Sequence, residues 1–373
     1  MSRRRFVCAR MMARVALAIA LGSESAAAQR VFGAAVLPDG STPAAFALIF
    51  AQDAGNRIVA REMASVRGDF VLPLPGSGTF RIKAQHIGHR PVELRDVVLA
   101  PGRDQRLELR FTADATRPAP VTVRSAEQCN IDADTSALGE AWRQFKLALE
   151  STRLAAETRM FSALWKRTER VLGRSLIDTV SRSDTEERID LDAPVMPVLP
   201  PDSAALAGYV LETEEGVKYH VPDVTIMLSR QFINRRCFSL EPPPPTQPGW
   251  FGIHFRSPTF RIGVSEVEGT IWMDRSTMEP RGLGFRYVNI PPPFDPGQPG
   301  GTLRFRRFDT GHWLIDDWTM RVPAGVFRRI FSYDVRGAPN GFATRLTLDG
   351  VRIVGARMME LEVNGSTIFR RPP

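Results

Sequence analysis

Apolar and polar residues alternate with a period of two through most of this chain, and only one long stretch carries the longer period of a helix. In the first third, Phe46, Leu48 and Phe50 alternate with Ala47 and Ile49. Ile58 to Met63 and Phe70 to Leu74 follow, and Thr79 to Gln85 places Phe80, Ile82 and Ala84 on one face. Turns at Asp53 to Asn56, Arg67-Gly68-Asp69, Pro75 to Gly78 and Pro101-Gly102 separate these runs. Turn signals every 8–12 residues with no helical period predict a β-sandwich. Leu138 to Glu157 is the predicted helix: Ala141, Phe145, Ala148 and Leu149 share a face with Trp142 beside them, and Ser136 stands as a cap.

Beyond the helix, strand patterns return at Arg159 to Val171, Ile177 to Ser181, Glu187 to Leu191, Tyr209 to Leu211, Val217 to His220 and Val224 to Leu228. A long meander then runs from Trp250 to Val363, including a predicted strand at Thr259 to Val264. Proline-rich loops are expected at Ala193 to Pro201, Glu241 to Pro248 and Pro291 to Pro299. Thr112 to Pro120 reads as linker, and Val121 to Arg124 as a short strand. The fold expected is mainly β: a sandwich over 29–112, a linker over 113–137, and a larger antiparallel domain with one principal helix over 138–373.

Residues 1–28 stand outside that fold. Arg3, Arg4, Arg5, Arg10 and Arg14 precede an apolar run from Val15 to Gly22, and Ala26-Ala27-Ala28 ends it. This is the pattern of a secretory signal peptide, and its eight-residue apolar core falls well short of the roughly 20 residues of a spanning helix. Cys8 precedes the apolar core and is badly placed for lipid attachment. Cleavage after Ala28 would remove five arginines and Glu24, lowering the formal net charge from +8 to +4. Of 49 basic residues only Lys83, Lys146, Lys166 and Lys218 are lysine, and the arginines are dispersed, unlike the concentrated patch of a nucleic-acid binder. The expected address is exported, periplasmic or outer-membrane-associated, with no transmembrane segment in the mature chain. Export leaves Cys129 and Cys237, either two separate buried thiols or, the favoured expectation, a disulfide closing a loop of 108 residues. The chain-entropy model assigns such a loop about 4.7 kcal/mol at most.

Two resemblances sharpen this outline. Pro43-Ala44-Ala45-Phe46-Ala47, Gly68-Asp69-Phe70, Leu74-Pro75 with Gly78-Thr79-Phe80-Arg81-Ile82, and Ile87-Gly88-His89-Arg90-Pro91 resemble the carboxypeptidase-regulatory-like family, whose members have a prealbumin-like sandwich and serve as accessory modules. His89 departs from the aromatic residue usual there. More faintly, Glu268-Gly269-Thr270-Ile271-Trp272-Met273-Asp274, Met278-Glu279-Pro280 and the strand from Gly282 to Tyr287 resemble the half-barrel of lipoprotein-sorting proteins. That resemblance implies a curved sheet over a helix, with a cavity suited to an apolar ligand or a partner's tail.

Catalytic motifs do not emerge. His86-Ile87-Gly88-His89 spells a nucleotidyl-transfer string, but Pro91 and the β context oppose the helix that chemistry requires. The five histidines, His86, His89, His220, His254 and His312, form no zinc-peptidase spacing. No Gly-x-Ser-x-Gly elbow or phosphate-binding loop occurs. Glu266 and Glu268 share a strand face, while Asp316 and Asp317 point to opposite faces. Trp250, Trp272, Trp313 and Trp318 fall on successive strands, where they would either fill the core or line a groove for sugar or lipid. The reading at this point is a non-catalytic envelope protein that binds or scaffolds, with no catalytic residue, cofactor or metal assigned. The partner would be an envelope protein or an apolar or carbohydrate ligand. A hydrolase with its site in the C-terminal domain and a surface carbohydrate-binding protein are the alternatives.

Overall fold

The alternating runs become strands whose buried positions are the apolar ones. A computed structural model of the protein describes residues 29–115, 117–173, 175, 177–213, 216–290, 299–333 and 339–372, so the leader expected over 1–28 lies outside the described residues. The chain divides into two units, one running to Ala84 and including Pro91–Phe111, the other comprising Gln85–Arg90 and Thr112–Pro373.

The first unit is a two-sheet sandwich. Strands β1 (Gln29–Val36), β4 (Asp69–Leu74) and β7 (Gln105–Arg110) form one sheet in the order β4-β1-β7. The other sheet, in the order β3-β2-β5-β6, holds β2 (Leu48–Gln52), β3 (Ile58–Met63), β5 (Gly78–Gln85) and β6 (Val92–Leu99). β1 runs antiparallel to β4 and parallel to β7. The pairing with β7 demands a glycine: a Cβ at Gly33 would collide with the Leu107 carbonyl oxygen. Val31, Ile49, Leu72, Ile82, Leu109 and Phe111 lie fully buried between the sheets.

The second unit is built on a ten-stranded antiparallel sheet. Its strands are β8 (Phe161–Leu172), β9 (Thr179–Asp190), β12 (Cys237–Glu241), β13 (Trp250–Arg256), β14 (Glu266–Asp274), β15 (Pro280–Val288), β16 (Gly300–Arg307), β17 (Trp313–Tyr333), β18 (Pro339–Val363) and β19 (Ser366–Arg370). The order is β12-β13-β14-β15-β16-β17-β18-β8-β9. β17 pairs β18 over Pro339 to Arg357, and β19 takes up that side again from Glu360. A separate hairpin joins β10 (Val210–Thr213) to β11 (Gly216–Tyr219).

One face of the large sheet carries helix α1 (Ala137–Thr158), capped by the Ser136 hydroxyl, which accepts from the Leu138 amide. Trp142 of α1 packs against Phe238 with ring centres 4.8 Å apart, and Phe145 meets Phe305 edge-on at 5.7 Å. Three short helices, α2 (Pro201–Ala207), α3 (Val224–Leu228) and α4 (Arg230–Ile233), complete the cover. Among the described residues, no helix is long and apolar enough to cross a membrane.

Several expected elements differ. Val224–Leu228 is helical, not extended, because the Asp223 carboxylate accepts from the Ile226 amide and caps it. Residues 259–264 form a bent loop between β13 and β14, where Pro258 and Gly263 interrupt the ladder. Residues 121–124 are not a strand. Instead the chain just after them straps the β12 edge: the Ser125 amide donates to Leu240, and Gln128 and Phe238 exchange two backbone hydrogen bonds of 2.8 and 2.9 Å. Beside this strap Cys129 and Cys237 form a disulfide.

Candidate functional site

The helix-bearing face is not uniformly filled. Pro194, Pro197 and Pro200 prevent residues 191–200 from extending β9, and the segment crosses the sheet instead. It is held by the Pro197 carbonyl, which accepts from the Val221 amide at 2.8 Å, and by the Val195 carbonyl, which accepts from the Arg167 guanidinium at 2.8 Å. Beneath it lies a cavity of about 660 Å³, walled by Trp165, Leu191, Val195, Met196, Val198, Leu314 and Ile315, with Ala156 of α1 and Val224 of α3. Arg153, Glu157, Arg159, Asp190 and Asp192 also line it, as does Asp223, whose carboxyl burial pushes above the ordinary range while its bonds to backbone amides oppose that shift. No histidine, cysteine or serine lines it among the described residues. The Thr152 hydroxyl at its edge is engaged by the Trp313 carbonyl. The apolar walls can hold a molecule, and the carboxyl groups of Glu157, Asp190, Asp192 and Asp223 stand among them.

A second cavity, of about 680 Å³, adjoins Pro197 and Arg167 and is lined by Tyr219, His220, Trp318, Met320, Val322 and Val354. Among the described residues the Tyr219 hydroxyl and the Trp318 indole N–H are sealed from solvent and find no hydrogen-bond partner. Burial raises the Tyr219 pKa and lowers that of His220, so both are neutral near pH 7.

The four singled-out tryptophans do not share a groove. Trp313 and Trp318 are each 3% exposed and belong to the interior of the helix-bearing face. Trp250 and Trp272 are half-buried on the opposite face, where Trp272 pairs in register with Gly252 and Gly282. The pairing explains the split, because alternate positions on β13 and β14 point to opposite sides. Sequence reasoning did not place Trp165 at a cavity, although Phe161, Ala163 and Trp165 alternate inward along β8.

Glu266 and Glu268 take different partners, but Asp316 and Asp317, expected on opposite faces, share Arg304 because a bulge in the β16–β17 ladder interrupts the alternation there. Glu266 is buried between Arg236, at 3.0 Å, and Arg261, while Glu268 bonds Arg286. Asp316 is fully buried and takes Arg304 at 2.9 Å, Arg306 at 2.6 Å and Arg371 at 2.7 Å, whereas Asp317 pairs Arg304 and Arg357. His86 and His89 approach each other at 3.0 Å, and His89 lies 3.5 Å from Asp114.

No family model matches the chain, and no curated protein does. Among solved structures it is similar to a protein from Bacteroides uniformis described as carbohydrate binding, at 7% identity and a TM-score of 0.20, over 62% of this chain and 90% of that one. It is also similar to a domain from Vibrio parahaemolyticus described as outer membrane lipoprotein-sorting, at 10% identity and a TM-score of 0.25, over 58% of this chain and 92% of that one. A third is a 9R-lipoxygenase from Cyanothece, at 10% identity and a TM-score of 0.18, covering 87% of this chain but 42% of that one. At such values these similarities carry no argument about function, which rests on the geometry above.

Proposed function

We propose that this chain is an exported, non-catalytic binding protein whose larger unit holds a ligand with an apolar body on the helix-bearing face of its sheet. The observation that carries this reading is the cavity of about 660 Å³ at the 191–200 segment, with aliphatic and aromatic walls among charged side chains. Export is supported by the leader-like pattern of residues 1–28 and by the Cys129–Cys237 disulfide. In this reading residues 29–112 are an accessory sandwich of the carboxypeptidase-regulatory-like kind, 113–137 a connector, and 138–373 the ligand-bearing domain.

The test uses the neutral fluorophore N-phenyl-1-naphthylamine with the purified mature protein. Saturable fluorescence enhancement is expected, and Val198→Trp, which fills the cavity from its wall, should abolish it while leaving the far-ultraviolet circular dichroism unchanged. Absence of saturable uptake, or uptake that Val198→Trp leaves intact, refutes the reading.

A further inference from the structure

On the face of the ten-stranded sheet opposite α1, we infer a second binding site, for an extended anionic glycan. This site is independent of the apolar cavity and shares no side chain with it. Its centre is a depression of about 520 Å³ over β8, β18 and β17. Lys166, Arg170, Arg182, Arg357 and Arg371 line it, against the single carboxylate of Asp317.

The strand register makes this cluster unusual. Lys166 stands directly across from Arg357, and Arg170 directly across from Arg182. Like charges directly opposite on neighbouring strands destabilise a sheet, and this one tolerates two such pairs within one depression. Among the described residues Lys166 and Arg170 close no ion pair or side-chain hydrogen bond, although the Lys166 charge helps hold the Asp184 carboxyl below its ordinary range. Glu186, across from Lys166 on its other side, closes no bridge with it, while Asp184 is engaged by Arg182 at 3.0 Å. One member of each pair is already neutralised, Arg357 by Asp317 at 2.6 Å and Arg182 by Asp184 at 3.0 Å, which leaves Lys166 and Arg170 as the cations that an anion would engage. Four residues apart on one strand, Lys166 and Arg170 mark two anion positions about 13 Å apart.

Between the two charged rows runs a row of small residues. Thr168, Gly355, Thr319, Thr302, Gly284 and Thr270 are successive register partners across six strands. Five interstrand steps of about 4.8 Å make that row about 24 Å long, the span of several linked sugar rings. At its far end Trp272 stands half-exposed beside the row, between Gly252 and Gly282, offering an aromatic face to a ring. The hydroxyls of this row bond within it or beside it, Thr302 with Thr319 and Thr270 with Glu241, so the small floor supplies room, while the cations at one end and the indole at the other favour a charged, ring-bearing chain over a lipid or a nucleic acid.

The experiment measures affinity of the purified mature protein by calorimetry for a sulfated heparin-derived hexasaccharide. Neutral maltohexaose, inorganic phosphate, a single-stranded oligonucleotide and phosphatidylglycerol vesicles are the comparison probes. The sulfated hexasaccharide should bind best, and more weakly as salt rises. Lys166→Ala and Arg170→Ala should each weaken it about ten-fold, the loss of one charge-assisted contact. Neither should lower the melting temperature, because each removes a like-charge pair. A Cβ at Gly284 meets no heavy atom within 4 Å, so Gly284→Tyr should fold and block the hexasaccharide while sparing a sulfated disaccharide. The inference fails if the hexasaccharide does not bind, or if the two alanine variants bind it unchanged. It also fails if the oligonucleotide, the vesicles or phosphate alone bind as tightly.

Discussion

The two faces of the ten-stranded sheet are made from alternate residues of the same strands, yet they are held by different forces. On β13, Phe251, Ile253 and Phe255 are fully buried against the helices, while Trp250, Gly252, His254 and Arg256 face the other way. The helix-bearing face is stabilised by apolar area removed from water, and its errors are cavities and sealed polar atoms. The opposite face is a lattice of arginine–carboxylate pairs, and its errors are unpaired or opposed charges. Burial fixes the first face tightly and leaves the second free to be shaped for recognition, since exposed ion pairs contribute little to stability.

The largest effect should separate a tryptophan on each side. Trp142 is fully buried in α1, against Phe145 and Phe238. Trp142→Ala is expected to cost about 3–5 kcal/mol in urea unfolding, whereas Trp272→Ala should cost less than about 1 kcal/mol. Equal costs would show that the outer face is also core.

Adjacent carboxylates give the next contrast. Asp316 sits at a bulge between β16 and β17, fully buried under three arginines, while Asp317 shares its arginines with solvent. Burial alone would raise the Asp316 pKa, but hydrogen bonds from Arg304 and Arg306 outweigh it and hold the carboxyl below its ordinary range. Its contribution is therefore present above the unfolded value and lost as pH falls through the folded one. Asp316→Asn should cost about 3–5 kcal/mol at pH 7, as expected when a buried ion pair loses one partner. Asp317→Asn should cost less than about 1 kcal/mol. Comparable losses would mean that Asp316 is less isolated from water than its packing implies.

Much of this architecture was legible because local rules dominate there. Alternation predicted β2 to β5 of the sandwich and β13 to β16 but singled out neither β1 nor β6, and the helical period with Ser136 marked α1 to within a residue or two. The failures share a cause, since at those positions a neighbour rather than the residue decided. Val224–Leu228 carries strand-favouring residues, yet the Asp223 cap made a helix. β9 read as two fragments because its residues are nearly all polar, and its partner β8 supplies the ladder. β17 and β18 run as paired long strands through Pro323 and Gly350, longer than any single run of the meander pattern. The cavities and the opposed cations were invisible for a further reason. They depend on β8 pairing with β18, nearly two hundred residues later, and no local pattern encodes that meeting.

A third contrast is in pH. His312 is 8% exposed and meets Phe161 edge-on at 4.8 Å. Burial pushes its pKa down to about 4, against a weaker opposing hydrogen bond at Thr310. An unfolded histidine titrates near 6.5, so between those values the unfolded chain binds the extra proton. Stability should therefore be full above about pH 6.5 and decline as pH falls toward 4, by up to about 3 kcal/mol from this group. His312→Gln should flatten that window in acid unfolding, and an unchanged slope would place the acid sensitivity in other groups.

The smallest effect tests whether the helix-bearing face carries a cost that binding would recover. The Tyr219 hydroxyl is sealed from solvent with no partner among the described residues, in a residue 5% exposed that packs edge-on to Tyr287 at 5.3 Å. An unmade hydrogen bond of this kind is unfavourable by about 1–3 kcal/mol in general, and Tyr219→Phe removes it while keeping the ring contact. The variant should be as stable as the parent or more so, by up to about 1 kcal/mol. A loss of stability would mean that the hydroxyl is bonded in solution, and that this wall of the second cavity is polar in fact. A gain would leave the hydroxyl as a donor held at a cost, placed where the cavity lining could bring it an acceptor.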